Sequence, residues 1–142
     1  MDHIAIMATP LYYAVKGGHI DTVRYLLIEH NARLNIKSKK GCTTLHMAAH
    51  IGNVDIFNLL IEYGADIHDK MNDHNFTVMH VAACEGNVNM LRLLIERYEC
   101  DVNPINKRNI TPLALAQYKN HTKAIALLIQ HDARVYRSMW DE

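Results

Sequence analysis

A phrase that recurs every 34 residues constrains this chain more than anything else in it. Thr9, Thr43, Thr77 and Thr111 open the segments TPLYYAV, TTLHMAA, TVMHVAA and TPLALAQ, and successive threonines stand 34 positions apart. A fixed period of this size marks an array of supersecondary units, each unable to bury its apolar face alone. Neighbours must then stack, and the stack offers one long surface to other macromolecules. The chain has 142 residues, so four units leave little over.

Within each unit the local signals agree. Threonine is a good helix N-cap, because its hydroxyl accepts a backbone N–H of the first turn. Pro10 and Pro112 follow directly, where a missing N–H costs nothing. The apolar run then stops near Gly18, Gly52, Gly86 and Asn120, residues suited to a left-handed helix stop. First helices are predicted at about 10–17, 44–51, 78–85 and 112–119. Second runs (TVRYLLIE, IFNLLIEY, MLRLLIER, AIALLIQ) carry apolar residues at helical spacing and predict helices at about 20–30, 54–63, 88–98 and 122–131. Polar, turn-rich segments over 33–42, 67–76 and 101–110 are expected to project as hairpin-like loops.

These residues resemble the ankyrin repeat, whose pattern runs TPLHxAAxxG through a paired leucine to GAD. Thr43, Leu45, His46, Ala48, Ala49, Gly52, Leu59, Leu60, Gly64, Ala65 and Asp66 fit it best, and the likeness covers about residues 9–135. It implies an all-α helix-turn-helix solenoid, one domain over 1–142, with repeats at about 9–42, 43–76, 77–110 and 111–136 and a tail from 137 to 142. The family unit is about 33 residues, so each step here has one extra. In repeats one and three the extra residue falls near the end of the second helix, before Ala32 and Asp101; in repeat two it falls between His68 and Thr77. Asn31 and Tyr98 replace or displace the expected stop glycine. The polar fourth repeat suits a terminal cap. Met1–Ala8 either covers the first repeat or marks a fragment.

Composition narrows the function. Fifteen Lys and Arg balance fifteen Asp and Glu, which speaks against nucleic acid as partner. No apolar run approaches the ~18 residues of a membrane span, and MDHIAIMATP lacks the features of a signal peptide. Three cysteines without a CxxC fit a reducing, intracellular compartment, cytoplasm or nucleus. There is no GxSxG, phosphate loop or HExxH, so neither an enzyme nor a bound cofactor is expected. His46 with His50, and His80 with Cys84, have the spacing of metal pairs, but no further ligand is placed to complete a tetrahedral site. The resemblance gives His46 and His80 a structural role, bracing the loop backbone of a neighbouring repeat. Cys42 follows Lys39 and Lys40 and precedes a helix, a setting that can activate a thiol; structural thiols are the commoner outcome.

By resemblance, partners dock on the concave side formed by loop tips and first helices. The corresponding strip holds Lys16 and Gly17; then Lys39, Lys40, Cys42, His50 and Ile51; then Asp73, His74, Phe76, Cys84 and Glu85; then Lys107, Arg108, Ile110, Tyr118 and Lys119. Phe76 and Ile110, each just before a threonine, either offer apolar area to a partner or tuck onto the neighbouring loop. The loops carry net charges of +4, −1 and +1, which would favour an acidic segment on a partner through encounter rate. The resemblance also permits hydroxylation of Asn35 and Asn103. The expected function is non-catalytic protein–protein interaction by a monomeric scaffold, adaptor or competitive inhibitor. The alternatives are a recognition module of a larger enzyme or receptor, and a self-associating unit using Tyr12, Tyr13 or Trp140.

Overall fold

The computed structural model describes residues 10–34, 36–38, 41–71 and 74–136. Thr9, Asn35, Lys39, Lys40, Asp73 and Trp140, with the N-terminal stub and the tail, lie outside the described residues.

Eight helices follow one another in antiparallel pairs among the described residues: α1 (Pro10–Lys16) with α2 (Ile20–Glu29), α3 (Thr44–Ile51) with α4 (Val54–Glu62), α5 (Val78–Glu85) with α6 (Val88–Arg92), and α7 (Pro112–Tyr118) with α8 (Thr122–Gln130). First helices stack in the order α1, α3, α5, α7, while α2 packs on α4 and α6 on α8. The result is two helical layers with the apolar core between them.

Threonine starts the first helices by accepting a backbone N–H three residues on: Thr43 from His46, Thr77 from His80, and Thr111 from Ala114. The second and third units each contribute two wholly buried alanines (Ala48 and Ala49, Ala82 and Ala83) and the fourth contributes Ala116, so first helices approach closely. The larger side chains, among them Phe57, Leu60, Leu91, Leu94 and Leu128, fill the space between layers. Burying each stabilises the stack by about 1.5–3 kcal/mol before entropy is counted.

The extra residues fall where the spacing placed them, and the backbone shows how they are absorbed. The N–H of Ala65 bonds to Leu60 and that of Ala133 to Leu128, whereas Ala32 reaches back to Leu26 and Cys100 to Leu94, one residue further. In the third repeat α6 widens into a π-helical turn, Leu93–Arg97, with Tyr98 N–H bonded to the Leu93 carbonyl. The predicted helix over 88–98 is therefore not uniformly α. The left-handed residue that ends it is Glu99, at φ 52°, and not Tyr98; Asn31 does serve, at φ 47°. Tyr98 instead crosses to the preceding repeat, where its hydroxyl donates to Asn58 and its ring tilts against Phe57.

The loops depart from the hairpin expectation. Among the described residues there is no strand, only an isolated antiparallel bridge between Met71 and Phe76. Ser38 with Cys42, and Asn106 with Ile110, close the corresponding turns through one bond from N–H to carbonyl. These turns span one residue fewer than Met71–Phe76, which is where the second repeat holds its extra residue.

Candidate functional site

Three sets of side-chain bonds brace the face that the strip occupies, the first within a repeat and the other two between repeats. His46 accepts the Thr43 N–H on Nδ1 and presents Nε2 to the Asp69 carbonyl at 3.1 Å. His80 does the same with Thr77 and, at 2.7 Å, with the Ile110 carbonyl, so each ring braces the loop that closes its own repeat and not, as the resemblance implied, that of a neighbour. Both rings are buried, and burial pushes both below the usual histidine range, so each works as a neutral imidazole. With both nitrogens engaged, neither ring has a lone pair for a metal. Among the described residues no group of three or more His, Cys, Asp and Glu could hold one.

The second ladder is not evident from the repeat phrase. Asn87 donates to the carbonyls of Ala49 and His50, and His121 Nε2 reaches the Cys84 carbonyl at 2.9 Å. These side chains satisfy helix ends that would otherwise be left with unpaired carbonyls. They pass so close to Gly52 and Gly86 that a Cβ there would meet Asn87 at 2.9 Å and His121 at 2.6 Å. The signal was present in the sequence: His19, Asn53, Asn87 and His121 keep the same 34-residue step. Asn103 makes a third link, accepting the Arg134 N–H and donating to the Asp132 carbonyl.

On the face built by α3, α5, α7 and the loops lies a cleft of about 170 Å³. It brings together four residues of the predicted strip: His50, Phe76, Cys84 and Glu85. Met71, His80, Val81 and Leu115 complete it; of these only His80 was singled out from the sequence, and as a brace, not as part of a docking surface. Phe76 is half-buried, with its ring edge-on to His80 at 5.5 Å and His74 beyond it at 6.3 Å. It both tucks down and lines the opening. Ile110 is half-buried and serves chiefly as the carbonyl that His80 holds. At one rim His50 Nδ1 lies 3.4 Å from the Glu85 carboxylate.

The other described strip residues do not line this cleft. Ile51 is 38% and Tyr118 82% exposed, large apolar surfaces at the ends of α3 and α7. Lys16, Gly17, Lys107, Arg108 and Lys119 are exposed. The Lys107 N–H bonds to the His74 carbonyl, which ties the third loop to the second. The first loop is less free a cation than its charge implies. Lys37 pairs with Asp69 at 2.9 Å and donates to the Lys70 carbonyl, so part of its charge is spent between loops.

The thiols do not match the activated setting that Lys39 and Lys40 suggested. Cys42 is half-buried and its thiol donates to the Thr43 carbonyl; burial pushes it up, not down. Burial raises Cys84 too, with Lys119 opposing and Glu85 reinforcing the shift. Cys100 is pushed up to about 11 by burial and the neighbouring Asp101. All three are free thiols and poor nucleophiles near neutral pH.

A family model for ankyrin repeats, in three copies, matches residues 3–71 and 67–139. Among curated proteins, human ankyrin repeat domain-containing protein 49 is 40% identical over 58 residues, 41% of this chain and 24% of that protein. Alpha-latroinsectotoxin-Lt1a from Latrodectus tredecimguttatus is 36% identical over 61 residues, 43% of this chain and 4% of the toxin. BCL-6 corepressor-like protein 1 from Mus musculus is 35% identical over 65 residues, 46% of this chain and 4% of that protein. The matched segments thus span a quarter or less of these relatives. Among the described residues no helix is long and apolar enough to cross a membrane.

Proposed function

The chain belongs to the ankyrin-repeat family, a family of non-catalytic protein-interaction modules, and from that premise we propose that it grips a partner protein on the concave face made by its first helices and loops. The observation that carries this reading is the apolar cleft, where side chains from the second, third and fourth repeats converge beside exposed Ile51 and Tyr118. A central apolar pocket with an aromatic wall and a polar rim is the arrangement in which interfaces concentrate their energy. The scaffold is held rigid by the histidine and asparagine ladders, so little ordering entropy is lost on binding. Binding itself is then the output, as in a scaffold, an adaptor or a competitive inhibitor that masks its partner. The projecting basic residues Lys107, Arg108 and Lys119 favour an acidic stretch on that partner.

The test is capture of partners by the 142-residue chain, followed by reconstitution with one purified partner. Replacing Phe76 and Tyr118 together by Ala should weaken the complex at least ~30-fold, as loss of an aromatic anchor does, while helical circular dichroism stays unchanged. Charge reversal of Arg24 and Arg97 on the second-helix face should leave it intact. The opposite pattern would place the docking surface on the other layer and end this reading.

A further inference from the structure

We infer that the cleft between α3, α5 and α7 receives one apolar side chain of a partner peptide, and that a carboxylate next to that side chain pairs with Lys119. The inference rests on the reading of this face as a protein-docking surface and specifies what docks there.

Volume decides the first half. At about 170 Å³ the cleft is well below the roughly 300–1,000 Å³ of pockets that hold small-molecule ligands or cofactors. It is close to the roughly 150 Å³ of a dry apolar cavity that takes a benzene-sized group. That is the size of a single large side chain. Val81 and Leu115 supply apolar walls from two successive repeats, with Phe76 and Met71 facing them from the loop. The imidazole nitrogens of His80 are already spent on Thr77 and Ile110, so this ring adds a face and no free polar atom. This part of the lining rewards burial of an apolar group, while the polar side chains His50 and Glu85 lie against each other at the rim.

Charge decides the second half. Glu85 at the rim lies against His50, at 3.4 Å from its Nδ1. Lys119, on the fourth-repeat side, is exposed and enters no ion pair among the described residues, and it stands one helical turn after the cleft residue Leu115, whose carbonyl accepts its N–H at 3.1 Å. Lys107 is exposed on the adjoining loop, which is bonded to the loop of His74. Positive charge thus stands beside the fourth-repeat wall of the cleft, away from the Glu85–His50 pair, and a carboxylate next to the seated side chain would meet it there.

The experiment is a 1H–15N NMR titration of the full chain with the capped peptide acetyl-Gly-Gly-Leu-Asp-Gly-Gly-amide and two analogues, one with Ala for Leu and one with Asn for Asp. Amide shifts centred on Val81, Cys84 and Leu115 are expected. The Ala analogue should bind about 10-fold more weakly or worse, from the lost apolar burial. The Asn analogue should bind about 2–5-fold more weakly, the worth of an exposed ion pair. Lys119→Gln should erase the Asp-to-Asn difference and keep the Leu-to-Ala one. No shift at those three amides up to the solubility limit, an equal response to Leu and Ala peptides, or a carboxylate preference that survives Lys119→Gln would each overturn the inference. If the cleft ignores these peptides while the Phe76 and Tyr118 changes still break the reconstituted complex, this inference fails and the docking surface stands.

Discussion

Replacing Gly86 by Ala tests whether the repeats are held together by side chains that reach backward across the interface. Gly86 sits at φ 70°, a left-handed conformation that costs an L residue about 1–2 kcal/mol. That cost would be the whole effect if the site were open. It is not open: a Cβ would stand 2.6 Å from His121 Cγ and Nδ1. The ring must swing away and give up its 2.9 Å bond to the Cys84 carbonyl, a further ~0.5–1.5 kcal/mol. Gly86→Ala should therefore destabilise by roughly 1.5–3.5 kcal/mol, a large part of the ~5–15 kcal/mol typical of a domain. Gly18 is the matched control, with φ 74° and its nearest neighbour, Asn53 Nδ2, at 3.7 Å. Gly18→Ala should cost only the conformational ~1–2 kcal/mol. Urea unfolding at pH 7 measures both. The decisive step is the double-mutant cycle with His121→Ala. Once the ring is gone the clash is gone, so the combined loss should fall short of the sum by about 1 kcal/mol. Equal losses for the two glycines, together with an additive cycle, would refute the cross-repeat account.

Acid should weaken the stack through His46 and His80. Their folded pKa values lie below the ordinary 6.5, so the unfolded chain takes up protons that the folded one refuses, and stability should fall as pH drops below about 6.5; urea midpoints from pH 8 to 5 would show it, and His80→Gln should flatten the slope. Phe57→Ala removes a fully buried ring that also supports Tyr98 and should cost ~3–5 kcal/mol in the same assay; a loss below 1 kcal/mol would mean that the second layer is loosely packed. In the native chain at pH 7.5 an aromatic disulfide reagent should label Cys100 far more slowly than in urea, since its thiol is pushed up to about 11; prompt native labelling would contradict that burial.

Helix boundaries were legible because local chemistry sets them. Threonine caps, a proline in the first turn and left-handed stops act within a few residues, and α1, α3, α5 and α7 lie within a residue of the ends expected for them. The structural role of the histidines was legible through the resemblance alone, although each braces the loop of its own repeat and not a neighbour's. The π-helical turn was not. The spacing showed that a residue is surplus before Asp101, but a helix can absorb it as a π turn or as a longer end. The first repeat takes the second course and the third the first, with Tyr98 drawn to Asn58 and Phe57 of the repeat before it. That choice depends on a neighbour 40 residues away in the chain.

The same reasoning explains why half of the cleft escaped notice. Phe76, His50, Cys84 and Glu85 depart from the repeat pattern or occupy its variable positions, so comparison between repeats isolates them. Val81 and Leu115 are ordinary apolar residues of first helices, where one reads them as core. They line an opening only because first helices of successive repeats pack side by side, so the cleft is one that no single repeat contains. Every surplus residue lies outside the first helices: before Ala32, before Asp101, or in the Met71–Phe76 turn. The first helices thus keep their alignment while second helices and loop tips absorb the irregularities. A site assembled from three repeats needs that alignment more than it needs regular loops, which is why a chain with an added residue in every step still places Phe76, Val81 and Leu115 around one opening.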